Sequence, residues 1–263
     1  MVIIDREKCV GCGLCAADCI GFNIKLEDKK AKIKKECFRC GHCVAICPVG
    51  AVSIPEYEMS DVEDYNADDF CLDPEKVLHN IKFRRSIRNY KTEKVKKEIL
   101  EKLLQAGRYT ATAKNNQDCC FVFVQDHLEQ LKSIVWNFID DMEKNGKKEI
   151  GREMLPYISF NRRRKANAED DYLFRNAPVV LFITSDWPLD AGLAAQNIET
   201  MAVSLGMGAL YNGFLARIAD ANEELKKWLG IDGKTIKACM LLGYPARVYA
   251  RTVPRKEANV IWK

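Results

Sequence analysis

Nowhere in the 263 residues is there an apolar run long enough to cross a bilayer; APVVLFIT, Ala177–Thr184, is far too short. The N-terminal MVIIDREK lacks the cationic-then-apolar order of a secretory signal, so a cytoplasmic protein is expected. Neither a G-x-G-x-x-G nor a Walker A loop occurs, which argues against Rossmann and P-loop nucleotide sites. The formal charge of +4 is too small to point to nucleic acid or a membrane as partner. With only three histidines, and no arrangement that demands a protein nucleophile or an obligatory acid or base, no catalytic side chain is assigned. Hydrophobic residues at 48% and charged residues at 30% fit a soluble globular chain, long enough for one sizeable core or two domains.

What the sequence does have is cysteine. Eight of its twelve lie in two compact runs, CVGCGLCAADC (Cys9–Cys19) and CFRCGHCVAIC (Cys37–Cys47), both C-x2-C-x2-C-x3-C. Thiols bunched this tightly in a chain without a signal read as metal ligands, not as a disulfide framework. Zinc takes paired C-x2-C knuckles, whereas triplets with a distal fourth cysteine suit iron-sulfur cubes. Three thiolates wrap one face of a cube, and in two-cluster ferredoxins the fourth cysteine ligates the other cluster. That assigns Cys9, Cys12, Cys15 and Cys47 to one 4Fe-4S cluster, and Cys37, Cys40, Cys43 and Cys19 to a second. Gly11, Gly13 and Gly41 leave room for backbone to approach the sulfides. The remaining Cys71, Cys119, Cys120 and Cys239 read as buried small hydrophobes.

Residues 1–56 thus resemble a bacterial two-cluster ferredoxin module. One departure is that Pro48 follows Cys47 but Ile20 follows Cys19, which bears on the local turn and not on the ligand count. His42, between two ligands, is expected at the surface or beside the cluster. NIKLEDKKAKIKKE alternates like a hairpin and bears Lys25, Lys29, Lys30, Lys32, Lys34 and Lys35. Two readings stand for it: a docking patch for an acidic redox partner, or a solvated edge charged against aggregation.

Residues 57–75 contain no Lys or Arg and many carboxylates, and this shift marks a boundary or linker. Asp73-Pro74-Glu75 reads as a helix N-cap, Pro at the first position and an acidic first turn. Beyond it helices and strands alternate. KVKKEILEKLLQAG, HLEQLKSIVWNFIDDMEKNG (ending at Asn145-Gly146) and LDAGLAAQNIETMAVSLG read as helices, and Phe121–Gln125, Pro178–Thr184 and Ala238–Gly243 as strands. The expected fold class is α+β, a sandwich of one sheet with helices on its faces, preceded by the small ferredoxin-like domain.

Just after the helix that Asp73-Pro74-Glu75 begins, FRRSIRNYK gathers Arg84, Arg85, Ser86 and Arg88 into a phosphate-sized set of donors, although three close arginines are more commonly a solvated face. RRSIRNY, then T-x-x-N-x-Q in TAKNNQDCC, then LDAGLAAQNIETMAVSLGMGALYNGF, then LLGYPA and PRK, resemble in order the flavin-dependent nitroreductase family, from about residue 80 to the C-terminus. The resemblance implies an intimate homodimer with FMN at its interface. It places Arg84, Arg85, Ser86 and Arg88 on the phosphate and ribityl chain, with Arg255 closing on the phosphate. It sets Asn115, assisted by Gln117, at the polar edge of the flavin, and the Tyr211-Asn212-Gly213 loop at the N5 side. Asp118-Cys119 replaces the Pro-Trp of many members, which alters the pocket next to Gln117. For Arg162, Arg163 and Arg164, an anionic-substrate site and a solvated charge run are both open, the latter favoured. The implied function is an iron-sulfur flavoprotein oxidoreductase passing electrons from a ferredoxin-like donor protein through the clusters to FMN and a small organic acceptor, a nitroaromatic or a quinone. The alternatives are an FMN reductase fed by NAD(P)H with accessory clusters, and a non-catalytic electron carrier or redox sensor.

Overall fold

The structure, a computed structural model, describes residues 1–35, 37–145 and 154–263; the expected helix stop at Gly146 lies outside them. The chain divides into two compact units, Met1–Leu72 with Thr112–Asn116, and Asp73–Ala111 with Gln117–Lys263.

The first unit is built from short pieces. Strand β1 (Ile3–Ile4) pairs antiparallel with β4 (Val52–Ser53), and β2 (Ile24–Glu27) with β3 (Lys30–Ile33), the hairpin foreseen from alternation. Helices α1 (Leu14–Ala17) and α2 (His42–Ala45) begin in the same way. Gly13 and Gly41 cap them with φ of 81° and 80°, a left-handed conformation that side chains with a Cβ resist. The two cysteine runs therefore fold as copies of one turn-and-helix. Their ends match too: Phe22 donates to the carbonyl of Cys19 at 2.9 Å and Gly50 to that of Cys47 at 3.3 Å. Lacking Pro after Cys19 does not change the turn. The difference falls on the third residue, where Phe22 adopts the positive φ (50°) that Gly50 (59°) takes in the second copy. Residues 55–75 are exposed apart from the half-buried Met59 and Asp61, with a short helix α3 (Ala67–Phe70).

In the second unit, α4 (Pro74–Phe83) starts as expected: the Asp73 carboxylate accepts from the Lys76 amide at 2.9 Å, with Pro74 at the first position. The sheet has the order β5 (Cys120–Val124), β6 (Val179–Thr184), β8 (Ile236–Gly243), β7 (Gly208–Tyr211), all neighbours antiparallel. Both its faces are covered, so β6 is buried at every position. Val180, Phe182 and Leu241 join one core with α6 (Leu128–Asn145), α7 (Leu155–Ala166), α9 (Gly213–Asp220) and α10 (Glu223–Trp228). Val179, Leu181, Ile183 and Leu242 join the other, with α5 (Lys97–Arg108) and α8 (Pro188–Ser204). This is an α+β sandwich.

Outside β7 the chain adds one more extended segment. Ser86 bridges Ala209 in parallel, and the Ile87 amide donates to the Ala209 carbonyl at 3.0 Å. Gly208 makes the approach possible, because a Cβ there would lie 2.2 Å from Ile87 Cγ1. Gly208→Ala must displace the Arg84–Arg88 segment from the sheet. We expect a loss of about 1–3 kcal/mol in unfolding free energy, an overpacking cost, measured by urea denaturation.

Expectations about five single residues resolve here. Cys239 is buried, Cys119 and Cys120 are half-buried, and Cys71 is not buried at all. Cys71 follows α3 on an exposed segment too thin to cover it, and its sulfur meets Tyr65 Oη at 3.2 Å. His42 is a surface residue, its side chain 66% exposed and its Nδ1 3.1 Å from Asp18 Oδ2.

Candidate functional site

The eight clustered cysteines of the first unit line two separate cavities. Cys9, Cys12, Cys15 and Cys47 surround one, and Cys19, Cys37, Cys40 and Cys43 the other. Each set is three cysteines of one run and the last cysteine of the other, the division that the spacing suggests. Among the described residues no group of three or more His, Cys, Asp or Glu converges closely enough to hold a single metal ion. Four cysteines lining each cavity supply the ligand count of one 4Fe-4S cluster.

The walls also carry donors for charged sulfur. The amides of Asn23, Ala31 and Ala51 donate to the sulfurs of Cys19, Cys9 and Cys47 at 3.3, 3.4 and 3.2 Å. Hydrogen bonds from the Ala31 and Gly11 amides hold the Cys9 thiol below its ordinary pKa. Burial, with Cys40 and Cys37 beside it, pushes Cys43 up to about 11. Four thiolates crowded around one small cavity need positive charge between them, which ferric and ferrous iron supply. The residues fit the clusters.

On the basic hairpin, Glu27 takes Lys32 at 2.7 Å and Lys25 at 3.5 Å, and Lys30 reaches the Cys9 carbonyl. Part of its charge is thus spent inside the unit. Asn115 also belongs to the first unit; it has a φ of 55° and donates from Nδ2 to the Arg39 carbonyl at 3.0 Å.

In the second unit the arginines divide. Arg84 Nη1 donates to Glu199 Oε1 at 3.1 Å, with Glu199 only 1% exposed on α8. Arg85 turns to main-chain carbonyls: Lys82 at 3.1 Å, Arg84, and Arg251 at 3.4 Å. That last bond brings the C-terminal segment, which bears the exposed Arg255, past the arginine run. Arg88 is exposed and Ser86 half-buried. Tyr211, at the end of β7, has its phenol pushed up by burial and by the charge of Glu199.

Asn212 explains why α9 begins where it does. Its Oδ1 accepts from the Leu215 amide at 2.9 Å, and its Nδ2 donates to the Leu173 carbonyl at 2.7 Å. So anchored, the helix presents exposed Gly213 and Phe214 at its positive end, and the place of a Cβ on Gly213 is open. Gln117, nearby in sequence, holds a φ of 50°. Asp118 accepts from Ser185 Oγ at 3.0 Å and from the Asp186 amide at 2.5 Å, joining the loops after β6 and before β5.

The NRRRK run is paired. Arg162 lies 3.5 Å from Glu143, Arg163 donates two hydrogen bonds to the Asp170 carboxylate at 2.8 and 3.0 Å, and Arg164 lies over Trp136 and 3.8 Å from Asp140. Wholly buried Asn161 donates to Asp140 at 2.7 Å. Burial pushes Asp140 up, but Lys165 and Asn161 outweigh it and hold the carboxyl below its ordinary range. Arg162, Arg164 and Lys165 tie α7 to α6, while Arg163 holds the segment just after α7.

The model of the Nitroreductase family matches residues 81–244. The chain belongs to the nitroreductase family. In front of its nitroreductase domain, the model of a 4Fe-4S dicluster domain matches residues 1–68, so this is a nitroreductase domain with an N-terminal ferredoxin domain. A protein of Methanothermobacter thermautotrophicus, provisionally named an NADH dehydrogenase/NAD(P)H nitroreductase, is 28% identical over 65% of this chain and 78% of its own length. One of Archaeoglobus fulgidus with the same name is 30% identical over 65% of this chain and 86% of its own. Among solved structures, a Bacteroides fragilis nitroreductase with bound FMN aligns with a TM-score of 0.57 at 22% identity, over 71% of this chain and 97% of that one. The nitroreductase domain is an oxidoreductase by family. Among the described residues no helix is long and apolar enough to cross a membrane.

What the sequence alone missed is Glu199. A glutamate in an Ala-rich helix reads as solvent-facing, yet it stands four residues after buried Ala195 and three before buried Ala202. That spacing was the signal.

Proposed function

We propose that the chain is an iron-sulfur flavoprotein oxidoreductase, taking electrons from a ferredoxin-like donor through two 4Fe-4S clusters to FMN and on to an organic acceptor such as a nitroaromatic or quinone. The observation that carries this reading is the three-plus-one division of eight cysteines between two cavities, in a chain whose other unit is a nitroreductase domain. The clusters would supply single electrons, and FMN the change between one- and two-electron chemistry.

The remaining roles belong to the chain. Each cysteine set holds one cluster. Arg84, Ser86 and Arg88 offer guanidinium forks and a hydroxyl to the phosphate and ribityl chain, with Arg255 from the C-terminal segment, while Arg85 fixes the main chain that presents them. The positive end of α9 at Gly213 suits an electron-rich flavin ring, Asn212 holds that end in place, and with Tyr211 the loop would face the N5 side. Asn115 and Gln117 enter from the family resemblance alone. We take the domains as 1–56, an acidic linker at 57–75, and 76–263. A second copy of the chain suits α4, whose Val77, Leu78, Ile81 and Phe83 are exposed, and the C-terminal Val253, Val260, Ile261 and Trp262, also exposed.

The names of the two archaeal relatives favour a second reading, in which NAD(P)H feeds the flavin directly. The experiment that separates them follows flavin absorbance anaerobically after mixing with reduced ferredoxin or NADPH, in wild type and in Cys12→Ala/Cys40→Ala. We expect rapid reduction by ferredoxin that is lost in the variant. Rapid reduction by NADPH, equal in both proteins, would replace our reading with the second.

A further inference from the structure

Glu199 is a buried carboxylate that no part of the proposed chemistry uses. It sits on the sheet-facing side of α8, among Ala195, Ile198 and Ala202, where the neighbouring turns are apolar. Its Oε1 accepts from Arg84, Gln196 one turn earlier adds a side-chain contact, and its Oε2 is enclosed without a hydrogen bond. A carboxylate placed so is costly, and the fold's own stability would be served as well by a leucine.

What the carboxylate does gain is control of one guanidinium. Arg84 is the C-cap of α4 and leaves the helix with an extended backbone (ψ 138°), its side chain 30% exposed. A long side chain at such a point samples many rotamers, and fixing it costs entropy at the moment a ligand binds. The Glu199 contact fixes one end of the fork beforehand through Nη1, on a side chain that stays 30% exposed and carries five N–H donors in all. The adjacent main chain is fixed as well, through Ile87 on Ala209 and Arg85 on the carbonyls of Lys82 and Arg251. Burial raises the pKa of Glu199 while Arg84 draws it down, and Tyr211 is the other titratable group facing the carboxylate.

We propose that Glu199 is a positioning residue, a buried carboxylate that sets the Arg84 guanidinium for the phosphate group of a flavin mononucleotide. The inference rests on the reading of Arg84 as a phosphate ligand. It concerns affinity for a phosphorylated flavin over the same flavin without phosphate.

The test uses the full chain with its clusters, reversibly freed of flavin, and measures dissociation constants for FMN and for riboflavin. Four proteins are compared: wild type, Glu199→Gln, Arg84→Gln and the double variant. We expect Glu199→Gln to weaken FMN about tenfold, the worth of one charge-assisted hydrogen bond, with riboflavin changed less than about twofold. In the Arg84→Gln background the same substitution should have no further effect, since the two residues act as a unit. Should Glu199→Gln fail to fold, Glu199→Met, apolar and of similar volume, provides the same ratio. Parallel weakening of FMN and riboflavin would make Glu199 a structural residue and overturn the proposal, as would unchanged or tighter FMN binding. A wild type that does not distinguish FMN from riboflavin would instead remove the phosphate reading of the arginines, and this proposal with it.

Discussion

Stripping the iron from this protein should unfold its N-terminal unit and leave the nitroreductase domain standing. The physical reason is the makeup of the small unit's core. Its two hydrophobic clusters join Val2, Ile24, Ala31, Ala51, Val52 and Ile54, with Ile4, Ala16, Ile33, Val44 and Ile46 packed against them, to six of the cysteines themselves: Cys9, Cys15, Cys19, Cys37, Cys43 and Cys47. Its strands have two to four residues each, and its two cysteine-run helices have four. Domains of this size rarely bury enough apolar surface to fold on that alone, and metal binding then becomes folding free energy. The second unit has a four-stranded sheet buried on both faces and owes nothing to iron. Anaerobic chelation followed by limited proteolysis should therefore release a protected fragment beginning near Asp73, with cleavage spread through residues 1–72. Survival of the N-terminal unit after complete iron loss would show that its apolar contacts suffice without the clusters.

The second large effect is on flavin. Arg84→Ala/Arg88→Ala should abolish FMN retention while the clusters' visible absorbance persists. Each charge-assisted arginine–phosphate contact is worth about 1.5–3 kcal/mol, so losing two weakens binding by about 10²–10⁴-fold. The two positions are not equivalent. Arg88 is exposed, and its removal should cost affinity alone. Arg84 is the partner of buried Glu199, so its removal strands a carboxylate and lowers stability as well. Measuring flavin content, FMN affinity and unfolding together in both single variants and the pair separates these effects. Undiminished flavin in the folded double variant would sink the assignment of these arginines.

The parts of this molecule that could be read from sequence are those specified locally. Two copies of C-x2-C-x2-C-x3-C with Gly directly after the second cysteine encode the same turn and helix twice, and no distant contact is needed to form either. The strands Val179–Thr184 and Ile236–Gly243 are long and apolar enough to announce themselves, and Asp73-Pro74 begins a helix by its own chemistry. Elements made by tertiary context were not legible. Strand β7 has four residues, one of them a glycine kept for Ile87, and pairs only because β8 lies beside it. Helix α9 begins at Asn212 because Leu173, thirty-nine residues earlier, accepts from its amide. Helix α7 carries three arginines in succession and little amphipathic pattern, and its partners on α6 become visible only in three dimensions. The pairing of Arg84 with Glu199 spans 115 residues and leaves no local trace.

The exchange of the last cysteine between the two halves has a consequence for how the protein is made. Because Cys47 closes the first cavity and Cys19 the second, neither half can finish a site by itself. A nascent chain released after Cys19 has three-quarters of one ligand set and a stray member of the other. On the reading proposed above, placing the first cluster would draw both halves together and pre-arrange the second, so that forms holding one cluster should be scarce beside the empty and the complete.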